Sequence, residues 1–438
     1  MLSARPVEGW WRRLRRWADV ALIGLLFVVP WLRIDGQPLV LLDIPARQFH
    51  FFGLVIFPQE LYFLWLIIAG LALALFFFTA LFGRLWCGWA CPQTIFTDVF
   101  AGVARTIEGW RGSRRPAHVA QWRVAAKHAT WIALSLVIGF HLVAYFRSPY
   151  QLIDQARQGH FYPTVLAFHL VLSLLAYLDF AFVRQVFCRY LCPYARFQSV
   201  LFDSDTLVID YDERRGDPRG KRGRVEGDCV DCGLCVQVCP TGIDIRDGLQ
   251  LECIACTQCI DACNGVMKRL DRAPGLIDYR SLAASSEGGG KARLLRPRVV
   301  AYGALLVATG IAFVVLVAQR VPLDLYVSHN RDSLYARMPD GRVGNAFNVH
   351  IQNRAREART FELRLLDEEF ELIAGVNPIT VPAVSAVETR VFVLTQDGAA
   401  ASNEASAPIR FQLEAAGTSP DRVIRKARFL SPGAPHEG

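Results

Sequence analysis

Eight cysteines crowded between residues 229 and 263 constrain this chain more than anything else in its 438 residues. They read Cys229-Val-Asp-Cys232-Gly-Leu-Cys235-Val-Gln-Val-Cys239-Pro240, then Cys253-Ile-Ala-Cys256-Thr-Gln-Cys259-Ile-Asp-Ala-Cys263. In a C-x2-C-x2-C-x3-C run, three thiolates cap one iron-sulfur cubane, and the fourth, beyond a turn, reaches the neighbouring cluster. The spacing therefore assigns Cys229, Cys232, Cys235 and Cys263 to one 4Fe-4S cluster, and Cys253, Cys256, Cys259 and Cys239 to a second. Zinc would want two C-x2-C pairs closing a tetrahedron, which two runs of four do not resemble. Disulfides would need an oxidising compartment.

The remaining four of the 12 cysteines lie in a chain that is 53% apolar. Five stretches approach the roughly 20 residues that a membrane helix needs: Ala18 to Leu32, Leu61 to Leu81, Ala126 to Phe146, Tyr162 to Val183 and Val299 to Ala318. The first is short, carries Asp19 and lacks a cleavage site, so it reads as an anchor and not a removed signal. Gly36 to Gln59 is apolar but broken by Asp43, Pro45 and Arg47, and reads as an interfacial loop. Arginines cluster before the first span (Arg5, Arg12, Arg13, Arg15, Arg16) and between the second and third (from Arg84 to Lys127), which predicts a cytoplasmic N-terminus. With five spans the eight-cysteine segment is then cytoplasmic, where thiols stay reduced. The net charge of +8 points to the membrane surface and not to nucleic acid.

Asp203 to Gly227 is charged and loop-like, with Arg214, Arg215, Arg219, Lys221, Arg222 and Arg224; it is read as a solvated basic loop, with docking of an acidic electron donor as the functional alternative. Residues 272–298 include a Gly-rich stretch and read as a flexible tether. From Val321 onward, Phe347, Val349 and Ile351, then Phe361, Leu363 and Leu365, then Ile409, Phe411 and Leu413 alternate with other residues, as strands with one buried face do. About 115 residues of this texture, without cysteine, predict one immunoglobulin-like sandwich.

A second repeat lies in the membrane core. Arg84-Leu-Trp-Cys87-Gly-Trp-Ala-Cys91-Pro92 follows the second span, and Arg184-Gln-Val-Phe-Cys188-Arg-Tyr-Leu-Cys192-Pro193 follows the fourth. Cysteines four apart share a helix face, and a following proline suits the first turn of a new helix. Cys91 and Cys192 would then sit at helix N-termini, where the dipole favours thiolate. The four thiols could hold one metal ion between the halves, act as two redox dithiols, or simply fill helix ends. His141 and His169 fall at comparable depth on neighbouring spans, which allows a haem or quinol site, although a hydrogen-bonded structural role is the simpler reading. His128 and Asp179 lie near inner helix ends. No G-x-G-x-x-G follows a strand, so no nicotinamide or flavin site is evident.

Taken together, the paired C-x3-C-P motifs, the double cluster motif, the cysteine-free outer sandwich, Leu41-Leu-Asp-Ile-Pro-Ala-Arg47 and Cys239-Pro-Thr-Gly-Ile-Asp-Ile-Arg-Asp-Gly-Leu249 resemble the FixG/CcoG (RdxA) family of oxidase accessory proteins. The resemblance implies a bacterial inner-membrane polyferredoxin needed for maturation of cbb3-type cytochrome oxidase, with cupric-ion reduction in the cytoplasm as its activity. It also implies that Cys87, Cys91, Cys188 and Cys192 bind copper.

The expected architecture is a multi-domain membrane protein with an all-α core of about five transmembrane helices, an inserted two-cluster ferredoxin-like domain and a C-terminal immunoglobulin-like β-sandwich. Its parts are a membrane core at 1–202, the basic loop and cluster domain at 203–271, the tether at 272–298, a fifth helix at 299–320 and a periplasmic domain at 321–438. Expected partners are the membrane, a cytoplasmic low-potential electron donor, and a copper exporter or chaperone together with oxidase assembly proteins. No nucleic acid is expected, and a homo-oligomer is compatible with the sequence. Two other functions fit the motifs: a quinol-linked polyferredoxin serving a periplasmic reductase, and a non-catalytic assembly scaffold or redox sensor.

Overall fold

A computed structural model describes residues 4–110, 116–160, 162–220, 227–281, 283, 293–330, 334–396, 406–416 and 421–431. The chain divides into two compact units, Met1–Val314 and Val315–Gly438.

The first unit begins with α1 (Trp10–Val28), followed by a hairpin of β1 (Arg33–Ile34) and β2 (Gln37–Pro38) and a three-stranded antiparallel meander of β3 (Val40–Asp43), β4 (Gln48–Phe51) and β5 (Leu54–Ile56). The segment expected to be an interfacial loop is thus mostly sheet: Leu41, His50 and Val55 are all buried, and strand pairing satisfies backbone groups that an irregular loop would leave open. Next come α2 (Leu61–Phe82), α3 (Leu85–Trp89), α4 (Pro92–Glu108), α5 (Gln121–Ala144), α6 (Pro149–Arg157), α7 (Pro163–Leu178) and α8 (Pro193–Leu201).

Among the described residues, four helical stretches are long and apolar enough to cross a membrane: Pro58–Phe82, Gln121–Ala144, Pro163–Val183 and Pro297–Ala318. They correspond to the last four of the five expected spans. α1 falls short because arginines occupy its first half. Arg15 and Asp19 are buried, and both Arg12 and Arg15 hold Asp98 of α4 at 2.8 Å. Between α5 and α7 the backbones come close: a Cβ on Gly139 would collide with Ser173 Oγ, and small residues permit this approach where lipid supplies no hydrophobic drive. Phe96, Phe100, Trp131 and Phe180 pack beside this contact.

The cluster domain opens with β6 (Leu207–Tyr211) and the short α9 (Glu213–Gly216), continues through α10 (Leu234–Gln237) and α11 (Gln258–Arg269), and closes with β7 (Ile277–Ser281), which pairs antiparallel with β6. Two expectations change here. The segment read as a basic loop contains β6, and the one read as a tether contains β7. The pairing joins the two ends of the insertion, and Ile209, Tyr211, Leu276 and Ile277 bury their side chains in the domain core. Lys221, Arg222 and Arg224, and most of the Gly-rich stretch, lie outside the described residues. α12 (Pro297–Ala318) follows, with Phe313 edge-on to Phe63 of α2 at 5.8 Å.

The second unit is a two-sheet sandwich. One sheet has the order β12 (Phe370–Ala374), β14 (Ser385–Thr395), β10 (Val343–Asn353), β8 (Leu323–His329), with β9 (Ala336–Arg337) also on β10. The other runs β13 (Ile379–Val381), β11 (Arg359–Leu365), β15 (Ser406–Ala415), β16 (Arg422–Leu430). The period-2 pattern does what its spacing requires, since Phe347, Val349, Ile351, Phe361, Ile409, Phe411 and Leu413 are all fully buried in one core. Truncating the central ring by Phe347→Ala should destabilise this unit by about 3–5 kcal/mol. Pulse proteolysis of the full chain across a urea series should show that loss, with iron content unchanged.

Candidate iron-sulfur and thiol centre

The two cysteine runs fold as copies of each other. Asp231 and Gly233 of the first and Ala255 and Thr257 of the second, at matching positions, all have positive φ (49°, 63°, 53° and 63°). Such turns direct consecutive backbone N–H groups inward, making a concave nest suited to an anionic group. Cys259 and Cys263, one turn apart on α11, serve two different cavities. Cys229, Cys232, Cys235 and Cys263 line one; Cys239, Cys253, Cys256 and Cys259 line the other, which Cys235 also borders. Ile209, Ile243, Ile245 and Ile254 wall the second cavity. All these cysteines are free thiols.

Burial raises the thiols of Cys235 and Cys256 to about 11 and those of Cys253 and Cys263 to about 12. In these four the neutral thiol is favoured at neutral pH without metal, so iron binding there would displace protons. Four thiols around each of two apolar cavities suit a 4Fe-4S cubane, which such residues would hold. No group of three or more His, Cys, Asp or Glu among the described residues is arranged to hold a single metal ion.

The membrane thiols form a second pseudo-symmetric pair. One sequence interval relates Cys87 to Cys188, Cys91 to Cys192, and Gly83 to Arg184. The last two share an unusual backbone, φ 56° and ψ −122° against φ 51° and ψ −126°. Cys91 and Cys192 cap α4 and α8, each followed by proline at the first helical position, as the spacing predicts. The start of each new helix reaches across to the end of the other half's span. Gln93 Nε2 donates to Asp179 at 3.0 Å, and Tyr194 Oη lies 2.6 Å from Thr79 Oγ1. A π-helical turn at Asp179–Val183 absorbs one additional residue in the second half.

These motifs sit directly under the second cluster cavity. Cys87 packs with Ile254 and Cys256, and with the half-buried Cys188 and Tyr194. Gly88 lies so close that a Cβ there would stand 2.5 Å from the Ile254 carbonyl oxygen and 2.7 Å from that of Ala255. Buried Arg84 donates to the carbonyls of Leu251 and Cys253 in the cluster loop and of Ala195 in α8, tying three segments together. Cys87 Sγ donates to Gln198 Oε1 at 3.4 Å.

The expectation of a thiolate at a helix N-terminus is corrected at Cys91. Burial, reinforced by neighbouring cysteines, pushes the Cys87 and Cys188 thiols up to about 12. Cys91 also rises, although the amides of Gln93 and Thr94 oppose the shift. Desolvation outweighs the dipole.

The histidines are engaged within the protein. His141 hydrogen-bonds the Val137 carbonyl at 2.9 Å and receives Trp31 Nε1 at 3.4 Å; His169 bonds the Leu136 carbonyl at 3.0 Å; His128 meets Tyr177 Oη at 3.0 Å. Sequence reasoning quoted Arg84 and Gly88 within their motif but gave them no role. Aligning the two halves would have drawn attention to both, since Gln185 and Arg189 replace them. Buried Arg15, whose charge acts on Cys256, carried no signal beyond its place in a basic run.

Two outcomes test this geometry. Gly88→Ala should cost the chain about half its iron and acid-labile sulfide, because the added methyl displaces the cluster loop; full content by chemical assay would refute the role of that contact. A buried cation favours the more negative, reduced state of a nearby cluster. Arg15→Gln should therefore lower, and Asp98→Asn raise, one of the two cluster potentials in a redox titration followed by electron paramagnetic resonance.

Comparison with known proteins agrees with this architecture. A "4Fe-4S dicluster domain" family matches residues 183–282, a "4Fe-4S binding domain" family matches residues 62–111, and an "IG-like fold at C-terminal of FixG" matches residues 313–432. The chain is 36% identical to Protein RdxA of Cereibacter sphaeroides, covering 94% of this chain and 93% of that one. It is 32% identical to Nitrogen fixation protein FixG of Rhizobium meliloti, covering 98% and 92%. A crystal structure of a FixG-related protein from Vibrio parahaemolyticus aligns with 26% of this chain and 99% of that one, at 17% identity and a TM-score of 0.23. With cysteine-lined cavities, a dicluster match and full-length relatives in agreement, the chain belongs to the FixG/RdxA family of membrane iron-sulfur electron-transfer proteins.

Proposed function

We propose that this protein reduces Cu(II) to Cu(I) at Cys87, Cys91, Cys188 and Cys192 on the cytoplasmic side of a bacterial inner membrane, in support of cbb3-type oxidase assembly. The observation that carries the reading is the shared packing of Cys87 and Cys188 with Cys256, which places the membrane thiols against a cysteine of the second cluster cavity. When bound, the clusters supply one-electron transfer, which matches the single electron needed to convert Cu(II) to Cu(I). The chain's own residues do the rest. Soft thiols favour Cu(I) over Cu(II), so the site gains affinity as the metal is reduced.

Topology follows from α1. At one end the amides of Trp11 and Arg12 donate to Asp261 of the cluster domain; at the other, Tyr145 Oη beyond α5 donates to the Leu26 carbonyl. On this reading α1 is a fifth crossing, with Arg15 and Asp19 of its charged half buried against the protein. Five crossings, with the arginine distribution, support a topology in which the clusters face the cytoplasm and the sandwich the periplasm. The electrons come from a cytoplasmic low-potential donor, and Cu(I) passes to an exporter or chaperone and on to oxidase assembly proteins.

Full-length protein, purified anaerobically and reduced, should convert Cu(II) to Cu(I) as read by a Cu(I)-specific chelator. Replacing all four membrane cysteines by serine should slow the reaction at least tenfold with iron content unchanged. No reduction by the parent, or an undiminished rate in the variant, refutes the proposal, and lost iron in the variant would make these cysteines iron ligands instead.

A further inference from the structure

A broad, partly open cleft of the first unit lies beside the second cluster cavity, sharing Thr241 with it, and is absorbed by none of the chemistry above. The N-terminal segment, α4, the start of α5 and the turn after α7 form its walls, with Thr241 and Gln258 contributed by the cluster loops. Arg12, Arg16, Arg105, Lys127, Arg184 and Arg189 line it against two carboxylates, Asp98 and Glu108. Both carboxylates are committed: Asp98 to Arg12 and Arg15, and Glu108 to Lys127 at 2.7 Å. Among the described residues Arg16, Arg105 and Arg184 have no direct ion pair, although the charges of Asp98 and Glu108 act on Arg105 and Arg184; the Arg184 side chain donates to the Phe180 carbonyl at 3.2 Å and its guanidinium lies 5.4 Å from the Trp131 ring.

The backbone at Arg184 supplies an independent argument. Its φ of 51° and ψ of −126° belong to a region that glycine alone enters freely, and its counterpart in the other half is Gly83. A strained arginine where the repeat accommodates glycine means that the side chain is wanted in the cleft. Guanidinium forks with aromatic faces beside them recognise phosphate through paired, charge-assisted hydrogen bonds.

We propose that this cleft is a binding site for an anionic, phosphate-bearing ligand, held by Arg105 and Arg184 next to the second cluster cavity. The phosphate belongs either to a lipid headgroup from the adjoining leaflet or to a soluble compound. The proposal does not depend on copper chemistry.

Full-length, cluster-loaded protein in neutral detergent should bind one phosphatidylglycerol per chain by native mass spectrometry, or one inorganic pyrophosphate by calorimetry. The first result identifies a lipid headgroup and the second a soluble phosphate compound. Arg105→Gln and Arg184→Gly should each weaken that binding at least tenfold. The glycine variant suits the backbone, so its iron content and melting temperature should equal or exceed those of the parent. If neither probe binds at one per chain, or both folded variants bind like the parent, the site does not exist.

Discussion

The seating of the cluster loop on the first C-x3-C-P motif is the contact on which the rest of the structure depends. Gly88 admits the Ile254–Ala255 backbone to a distance no side chain would allow, and Arg84 fastens the flanking carbonyls of Leu251 and Cys253. Both interactions are with main-chain atoms. They hold the cluster loop by its shape, in a region where a buried guanidinium needs several acceptors to offset its desolvation. Because Arg84 also reaches Ala195, the same side chain secures the second half of the membrane core.

Two repeats, each built on its own backbone signature, meet at this contact. In the cluster domain the signature is positive φ at alternate residues of each cysteine run, which turns amides toward the sulfur-lined cavities. In the core it is the reversal at Gly83 and Arg184 that redirects each span into its cysteine motif. The reciprocal pairs Gln93 with Asp179 and Tyr194 with Thr79 close the core repeat around a pseudo-two-fold arrangement. The halves are nevertheless not equivalent. Gly88 faces the cluster loop, whereas its counterpart Arg189 lines the cationic cleft. Duplication made a symmetric frame, and substitution gave its halves different neighbours.

Much of this could be read in advance where chemistry is local. Three-residue cysteine spacings, period-2 alternation around Phe347 and Phe411, and long apolar runs report on interactions within a few residues, so these elements were expected and found. Two failures share one cause: β6 and β7 pair across about 70 positions, and Arg12 and Arg15 of α1 close on Asp98, so each depends on a partner far away in sequence. The β3–β5 meander pairs locally, and there the charges that interrupt its apolar pattern hid the strands. The Cys91 thiol misleads because burial, which depends on how distant segments pack, outweighs the local amides of its helix N-terminus.

The sequence by itself determined the ligand chemistry, the order of the parts and the character of each core, since these follow from side-chain type and short-range periodicity. Only the tertiary structure decided that the membrane thiols pack against Cys256 and that a cluster of arginines converges in the cleft beside the second cavity. Burial and proximity depend on how distant segments come together, and no local pattern encodes that.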